Sequence, residues 1–444
     1  MEKPGNWSLW TAEEKRKFRL DAWVRGEGIK FENAEARTKY RERAQRLRDA
    51  LELKTPDRVP VVGLGGAFVY RRAGVPQKAT MYDRWEEACQ AAVKFQEDFE
   101  PDCSSPTFMM SGDSMALLGL TNMKWAGYGL ADDVQYQFVE KELMKAEEYD
   151  HFLEDPSDFV LRRYLPRMYA SLKGLERMPW FGSDGIQLGG RTISAFMEPE
   201  VQEALSIMKR AAEMSVLPAK ISMEYSDRMR EMGYPRMFMG FGAAPFDVIG
   251  DTMRGTRGIM TDVYRCPDKV IKACEKVVRL VSAPDVPLGE PPLIMMPLHK
   301  GDDTHISLQQ FEKFYWPTFK QTMMNMIEEG LIPAPFAEGA YTRRLNHLTE
   351  LPPASVLWLF DRTDMHRAKD ILGGHSPFMG NVPIPMIATG TPGQVKAYCK
   401  DLIDYCGKGG GYILCSGAQL DEARDDTVRA MIDSVKEYGV YRQS

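Results

Sequence analysis

The sequence predicts an α/β protein built as a (β/α)8 TIM barrel with an N-terminal helical extension and a helical insertion. Three observations carry that reading. Short apolar runs recur along the chain without alternating with polar residues, as strands buried on both faces do. Helix-length segments separate them, the order of a parallel sheet with crossover helices. About eight such units spread over the chain fit a closed barrel better than an open sheet. The open-sheet alternative lacks its fingerprint, because Gly63-Leu64-Gly65-Gly66 follows a strand but is out of G-x-G-x-x-G register.

Composition sets the outer limits. Of 444 residues, 44% are apolar and 27% charged, as in a soluble globular protein. Lys and Arg number 57 against 63 Asp and Glu, a net charge of −6, which argues against nucleic acid or an anionic membrane as partner. No apolar run is long enough to span a bilayer. The N-terminus has early charge and no apolar core, unlike a secretory signal. Seven cysteines with no CxxC pair then point to reduced thiols in a cytoplasm. The 28 methionines are core filler by default, but Met109-Met110, Met295-Met296 and Met323-Met324 are candidates for a pocket wall or docking face.

The elements follow in order. Residues 1–55 form a helical arm, in which Tyr40, Ala44, Leu47 and Leu51 make one apolar stripe. Acids interleave with its bases, so it reads as a solvated helix lying on a body, free also to wrap a partner subunit. Residues 56–444 form the barrel. Strands are predicted at 59–63, around 103–108, and at 180–187, 236–241, 293–298, 331–336, 355–360, 377–382 and 411–415. Helices are predicted at 308–330, 365–373 and 392–407. The stretch 64–235 holds the barrel entry and the helical insertion.

In a barrel, reactive groups stand where strands end and βα loops begin. Those ends offer His299, Lys300, Asp302, Asp303 and His305, then Glu338, then Asp361, Asp364 and His366, then Asn381 and Cys415. Each also has a plain structural reading. His299 could cap a loop. Asp302 and Asp303 sit in a capping-rich GDDTHIS segment. Asp361 could pair with Arg362 or Arg343, and Cys415 could be a core thiol. Glu338, between an apolar run and a glycine, needs a partner if buried. HExxH, paired CxxC and the EF-hand loop are absent. Glu338 and Cys415 with His299 or Asp361 could still form a tetrahedral zinc site. Asp364 to Lys369 reads D-x-H-x-x-K, close to the D-x-H-x-x-G of corrinoid carriers; lacking the glycine and lying in a barrel helix, it is read as coincidence.

Several segments resemble the uroporphyrinogen decarboxylase-like superfamily: PDRVPV at 56–61, SLQQFEKFYWPTFKQTM at 307–323, GNVP through GTPGQVKAYCKDLID at 380–404, and GGGYILCSGAQL at 409–420. The resemblance covers about residues 40–440, is strongest after 290, and implies a (β/α)8 barrel. True decarboxylases of this group carry an arginine-rich MRQAGRY-type segment after the first strand. Here GLGGAFVYRRAGVPQ keeps Arg71 and Arg72 but not the motif, and acids line the rim instead. Thiol-methylating members carry H-x-C-G and a final cysteine as zinc ligands. In this chain Phe336 and Glu338 stand at the first two ligand positions, with Cys415 near the last.

The resemblance that remains is to the first methyltransferases of O-demethylase systems. It implies transfer of a methyl group from a small methoxylated, aromatic substrate to the Co(I) of a separate corrinoid protein, with no carrier domain in this chain. A bare phenolate is a poor leaving group, so its oxygen needs a proton or a Lewis acid. Glu338, His299 and Asp361 are the candidate catalytic residues, with Glu338 or a bound metal nearest that oxygen. Phe241, Phe336, Tyr341 and Trp358 are candidates for a flat slot around the ring. Asn381 and Met296 are candidate corrinoid contacts, and Glu338, Cys415 and His299 would hold zinc if zinc is used. A homodimer is an open option. Two alternatives stand beside this reading: a decarboxylase-type lyase, and a non-catalytic corrinoid- or tetrapyrrole-binding module.

Overall fold

Valine, isoleucine, leucine and methionine runs form the strands, and the hydrogen-bond ladder joins them into a ring. The computed structural model describes residues 2–104, 110–185, 189–281 and 283–441. Among them the strands are β1 (Val61–Val62), β2 (Met123–Ala126), β3 (Gly129–Leu130), β4 (Tyr136–Phe138), β5 (Phe238–Phe241), β6 (Leu293–Leu298), β7 (Ile332–Ala337), β8 (Trp358–Phe360), β9 (Phe378–Val382) and β10 (Tyr412–Ser416). Seven of these make one parallel sheet in the order β1-β10-β9-β8-β7-β6-β5. Residues 102–104 close the gap between its edges. The Asp102 N–H donates to the Val61 carbonyl and the Ser104 N–H to the Pro235 carbonyl, both at 2.9 Å. The sheet therefore curls into the expected (β/α)8 barrel. The strand predicted around 103–108 begins at this stave, and its residues 105–109 lie outside the described ones.

Side chains alternate between the two faces of each strand. Val61, Ile294, Met296, Leu298, Trp358, Phe360, Phe378, Tyr412 and Leu414 face outward into the layer of surrounding helices. Val62, Leu293, Ile332, Ala334, Leu359, Met379, Ile413 and Cys415 face the barrel interior. Helices α1 (Ala12–Arg25) and α2 (Ala34–Leu51) complete that inner core. Their Leu20, Trp23, Tyr40, Ala44, Leu47 and Leu51 join the same cluster. The arm thus stoppers the end of the barrel where the strands begin, and its apolar stripe is buried within the chain rather than free to wrap a partner. Asp102 fastens it there. Its carboxylate takes hydrogen bonds from Arg46 of α2 at 2.6 Å, from Arg58 at 2.8 Å and from the Val61 N–H at 2.8 Å. Pairing this complete is what a buried carboxylate needs to offset the cost of its desolvation.

Two expectations need correction. Residues 180–185 form turns rather than a strand, with the Ser183 N–H bonded to the Trp180 carbonyl and the Gly185 N–H to the Gly182 carbonyl. Glycines at 182, 185, 189 and 190 favour such turns over a ladder; residues 186–188 lie outside the described ones. The insertion is also not wholly helical. It contains the three-stranded sheet β3-β2-β4, whose strands of two to four residues are too short to show a period. Its longest helix, Pro199–Glu231, carries Pro218 internally. No described helix is long and apolar enough to cross a membrane.

Candidate active site

At the end of β6 the chain turns sharply, and one carboxylate from an earlier element fixes that turn. Asp247 lies in the short helix Pro245–Asp247 that follows β5. It accepts the N–H of His299 at 3.1 Å and that of Lys300 at 3.0 Å. The Tyr315 hydroxyl donates to it at 2.7 Å. Asp251 follows one helical turn later, so it shares the same face. Its Oδ2 lies 2.6 Å from His299 Nδ1, and its other oxygen pairs with the Lys300 ammonium. The far nitrogen of the ring, Nε2, faces Glu338 Oε1 at 3.8 Å. Asp251, His299 and Glu338 therefore form a line at the mouth where the strands end.

Glu338 is aimed by the residue after it. Gly339 has φ +87°, and a Cβ there would come within 2.4 Å of Asp302 Oδ2, so only glycine fits. The Gly339 N–H donates to Asp361 Oδ2 at 3.0 Å, and Arg362 Nε lies 3.5 Å from the same carboxylate oxygen. Asp361 thus holds the turn that presents Glu338 and is paired with Arg362, one of its two expected partners. Asn381 works at one remove. Its amide donates to the carbonyls of Asp361 and Thr363, each at 2.9 Å, and its oxygen accepts from Tyr398 at 3.1 Å. Asp302 caps its own loop, accepting the His305 N–H at 2.9 Å.

The charges follow from these contacts. The hydrogen bond to Asp251 raises His299 against the effect of burial, to about 9, so the ring is an imidazolium at neutral pH. Burial pushes Asp251 up, but its bonds to His299 and Lys300 outweigh this and hold it below the usual range. Asp247 is raised to about 6 by burial and by the charge of Asp251, against the bonds from Tyr315 and the His299 N–H. Glu338 is raised by burial, opposed by the His299 cation and reinforced by Asp361, Asp247 and Asp251. A carboxyl that holds its proton longer than usual thus stands beside a protonated imidazole.

Other expected site residues fall elsewhere. Trp358 and Met296 point outward from the barrel and are fully buried against its helices. Neither reaches the mouth, because both stand on the outward parity of their strands. Tyr341 is buried below the rim, its N–H bonded to Thr363 at 2.9 Å. Phe336 faces inward and is half-buried against the inner core, and Phe241 stands exposed at the end of β5. Cys415 is sealed in that core with Cys103, and burial pushes its thiol well above the usual range. Among the described residues no three His, Cys, Asp or Glu are grouped to hold a metal. The Glu338, Cys415 and His299 set therefore does not fit a zinc ion. Sequence reasoning missed Asp247, Asp251 and Tyr315. The signal for the first two was present: acids four apart in the apolar stretch AAPFDVIGDTM, directly after a strand.

Comparison with known proteins agrees with this architecture. No curated protein matches the chain. Among solved structures, a methyltransferase from Methanosarcina mazei superposes with a TM-score of 0.54 at 14% identity, covering 88% of this chain and 98% of that one. At that identity the likeness is one of fold. A family model, uroporphyrinogen decarboxylase (URO-D), matches residues 198–438, which includes β5 to β10 and all of the residues around His299 and Glu338. With more than half of its length matched, the chain belongs to the uroporphyrinogen decarboxylase family.

Proposed function

We propose that this protein moves a methyl group from a small methoxylated aromatic substrate to the cobalt of a corrinoid carried by a separate protein. The observation that carries the reading is the line Asp251–His299–Glu338 at the barrel mouth. When the carbon–oxygen bond breaks, its electron pair stays on oxygen, and a phenolate must leave unless it gains a proton. The proton held by the His299–Glu338 pair reaches the leaving oxygen from Glu338, His299 Nε2 gives up its proton and ends neutral, and Asp251 keeps the ring oriented. A positioned acid of this kind contributes about 10²–10⁴-fold. Asp247 and Asp361 fix the backbone on either side of the relay.

The charge around the mouth favours this over a lyase acting on polycarboxylates. Such a substrate needs free arginines in forked pairs with its carboxylates. Arg71 is paired with Glu422 at 2.9 Å, Arg72 with Asp98 at 2.6 Å and Asp425 at 2.7 Å, and Lys300 with Asp251. That a protein of similar fold is a methyltransferase is support by analogy of fold.

The test is a panel of methyl donors mixed with enzyme and a reduced corrinoid protein, followed by the cobalt absorption change. A donor-dependent change is expected, and Glu338→Gln should slow it by about 10²-fold or more. Release of CO2 from a carboxylated substrate without cobalt methylation would establish the lyase instead. Tight corrinoid binding with neither reaction would leave a binding module.

A further inference from the structure

The aromatic wall that Trp358 and Tyr341 do not provide has another source in the insertion. Segment 132–144 crosses the barrel mouth and is tied down at both ends. On one side the Lys78 N–H donates to the Asp132 carbonyl at 2.9 Å. Gln135 donates to Asp421 Oδ1 at 3.0 Å, and the same oxygen accepts the Ala67 N–H at 2.9 Å. Ala67 follows β1 and Asp421 follows β10, so this anchor sits on their exit loops. On the other side the N–H groups of Leu143 and Met144 donate to the Met253 carbonyl at 2.7 and 2.8 Å. Glu140 accepts the Arg257 N–H at 3.2 Å, and Glu142 pairs with Arg254 at 2.5 Å. Those partners follow β5. A strap fixed to the loops after β10, β1 and β5 must run over the end of the barrel that holds His299 and Glu338.

The middle of the strap is β4. Tyr136 and Phe138 alternate with Gln137, so they share one face of the small sheet. Their rings meet edge to face with centroids 5.4 Å apart. Tyr136 is 41% exposed and Phe138 67%, while Phe241 at the end of β5 is 69% exposed. Large rings left in water forgo the favourable burial available to apolar surface. The Tyr136 phenol lies near enough to feel the charges of both Asp421 and Glu338, in keeping with a strap that crosses the mouth. On the same face, Met123 and Trp125 stand directly across from Phe138 and Tyr136, and Met81, Met110, Met115 and Met168 pack around Trp125. An adaptable methionine bed of this kind accommodates small shifts of what lies on it.

We infer that the strap is the specificity element of the site, with Tyr136 and Phe138 forming the wall against which the substrate ring packs while its ether oxygen faces Glu338. This rests on the proposed methyl transfer from an aromatic ether and assigns that substrate its binding surface. The test measures binding alone, by calorimetry, without the corrinoid protein. The probes are 2-methoxyphenol, 4-methoxybenzoate and the ring-free 2-methoxyethanol. Wild-type protein is expected to bind at least one of the two aromatic ethers more tightly than 2-methoxyethanol. Tyr136→Ala and Phe138→Ala should each weaken that binding roughly 10-fold, the size of a lost aromatic anchor. Tyr136→Phe, which keeps the ring, should stay within about twofold of wild type on the same grounds. Thermal melting establishes that each variant is folded, and substitution at such exposed positions leaves the barrel core untouched. If wild type binds an aromatic ether and the two alanine variants bind it equally well, the strap has no such role while the methyl-transfer reading stands. Equal loss in Tyr136→Phe and Tyr136→Ala would also overturn the ring-holding role. If wild type binds neither aromatic ether, the aromatic-donor reading falls and the strap assignment falls with it.

Discussion

His299 is the residue on which the chemistry turns, and its protonation state is set by one neighbour. Bonded to Asp251 at 2.6 Å, the ring is raised from 6.5 to about 9. A histidine raised by folding lends stability that is fully present below its unfolded pKa, near 6.5, and lost as the pH climbs through about 9. A reaction that draws its proton through this ring should follow the same limb, holding its rate to about pH 9 and falling above it. Asp251→Asn removes the main cause of the shift. The alkaline limb of the rate profile should then move down toward the ordinary histidine value of about 6.5. The same displacement should appear in the NMR titration of the His299 ring, which needs no turnover. A limb that stays in place in Asp251→Asn would remove His299 from the relay. Glu338 adds no separate limb, because the proton it delivers is the one that the His299–Glu338 pair holds until the imidazolium itself titrates.

The loop after β6 shows how an element is held for this purpose. Arg344 lies in the turn Thr342–Arg344, beyond β7, and is buried. It donates to the carbonyls of Gly301 at 3.3 Å, Asp302 at 3.2 Å and Ile306 at 2.6 Å, with its guanidinium 4.9 Å from the Phe311 ring centroid. A planar fork suits three carbonyls and a ring, while a lysine ammonium is a single point. Arg344→Lys should leave buried carbonyls unpaired at about 1–3 kcal/mol each. We expect a lower melting temperature and slower turnover together, and an unchanged melting temperature would show that the loop is held by other contacts. At this scale the sequence was readable in part. The run LIMMPL coincides with β6, and His299, Glu338 and Asp361 were found because barrel chemistry follows strand ends. The inside and outside of a strand were not readable. In a parallel barrel both faces are apolar, so Met296 and Trp358 carry no alternation to mark them as outward. Asp247 and Asp251 stood in a segment that reads as a helix start, and their use depends on β6 coming to lie beside them. The strap was hidden for a third reason, since its strands are shorter than any period.

For the molecule as a whole, the arm decides whether this is one folding unit or two. Read from sequence, residues 1–55 are a helical arm lying on the body of one barrel. In the structure Trp23, Leu20 and the α2 stripe belong to the same inner core as Leu293, Ile332 and Ile413, residues of the strands β6, β7 and β10. Two of those strands lead directly to His299 and Glu338. A fully buried tryptophan replaced by alanine costs about 3–5 kcal/mol, a large part of the 5–15 kcal/mol that typically holds a protein folded. If the arm were an independent module, Trp23→Ala would lower a first transition and leave the barrel's own transition where it was. Because the two share one core, the whole unfolding curve should instead shift to lower denaturant as one transition. Barrel tryptophan fluorescence and total helix content should report the same midpoint. Two separated midpoints in Trp23→Ala would show that the barrel closes without its stopper. Coincident ones would mean that the strand ends carrying the relay are held in register from the opposite end of the barrel.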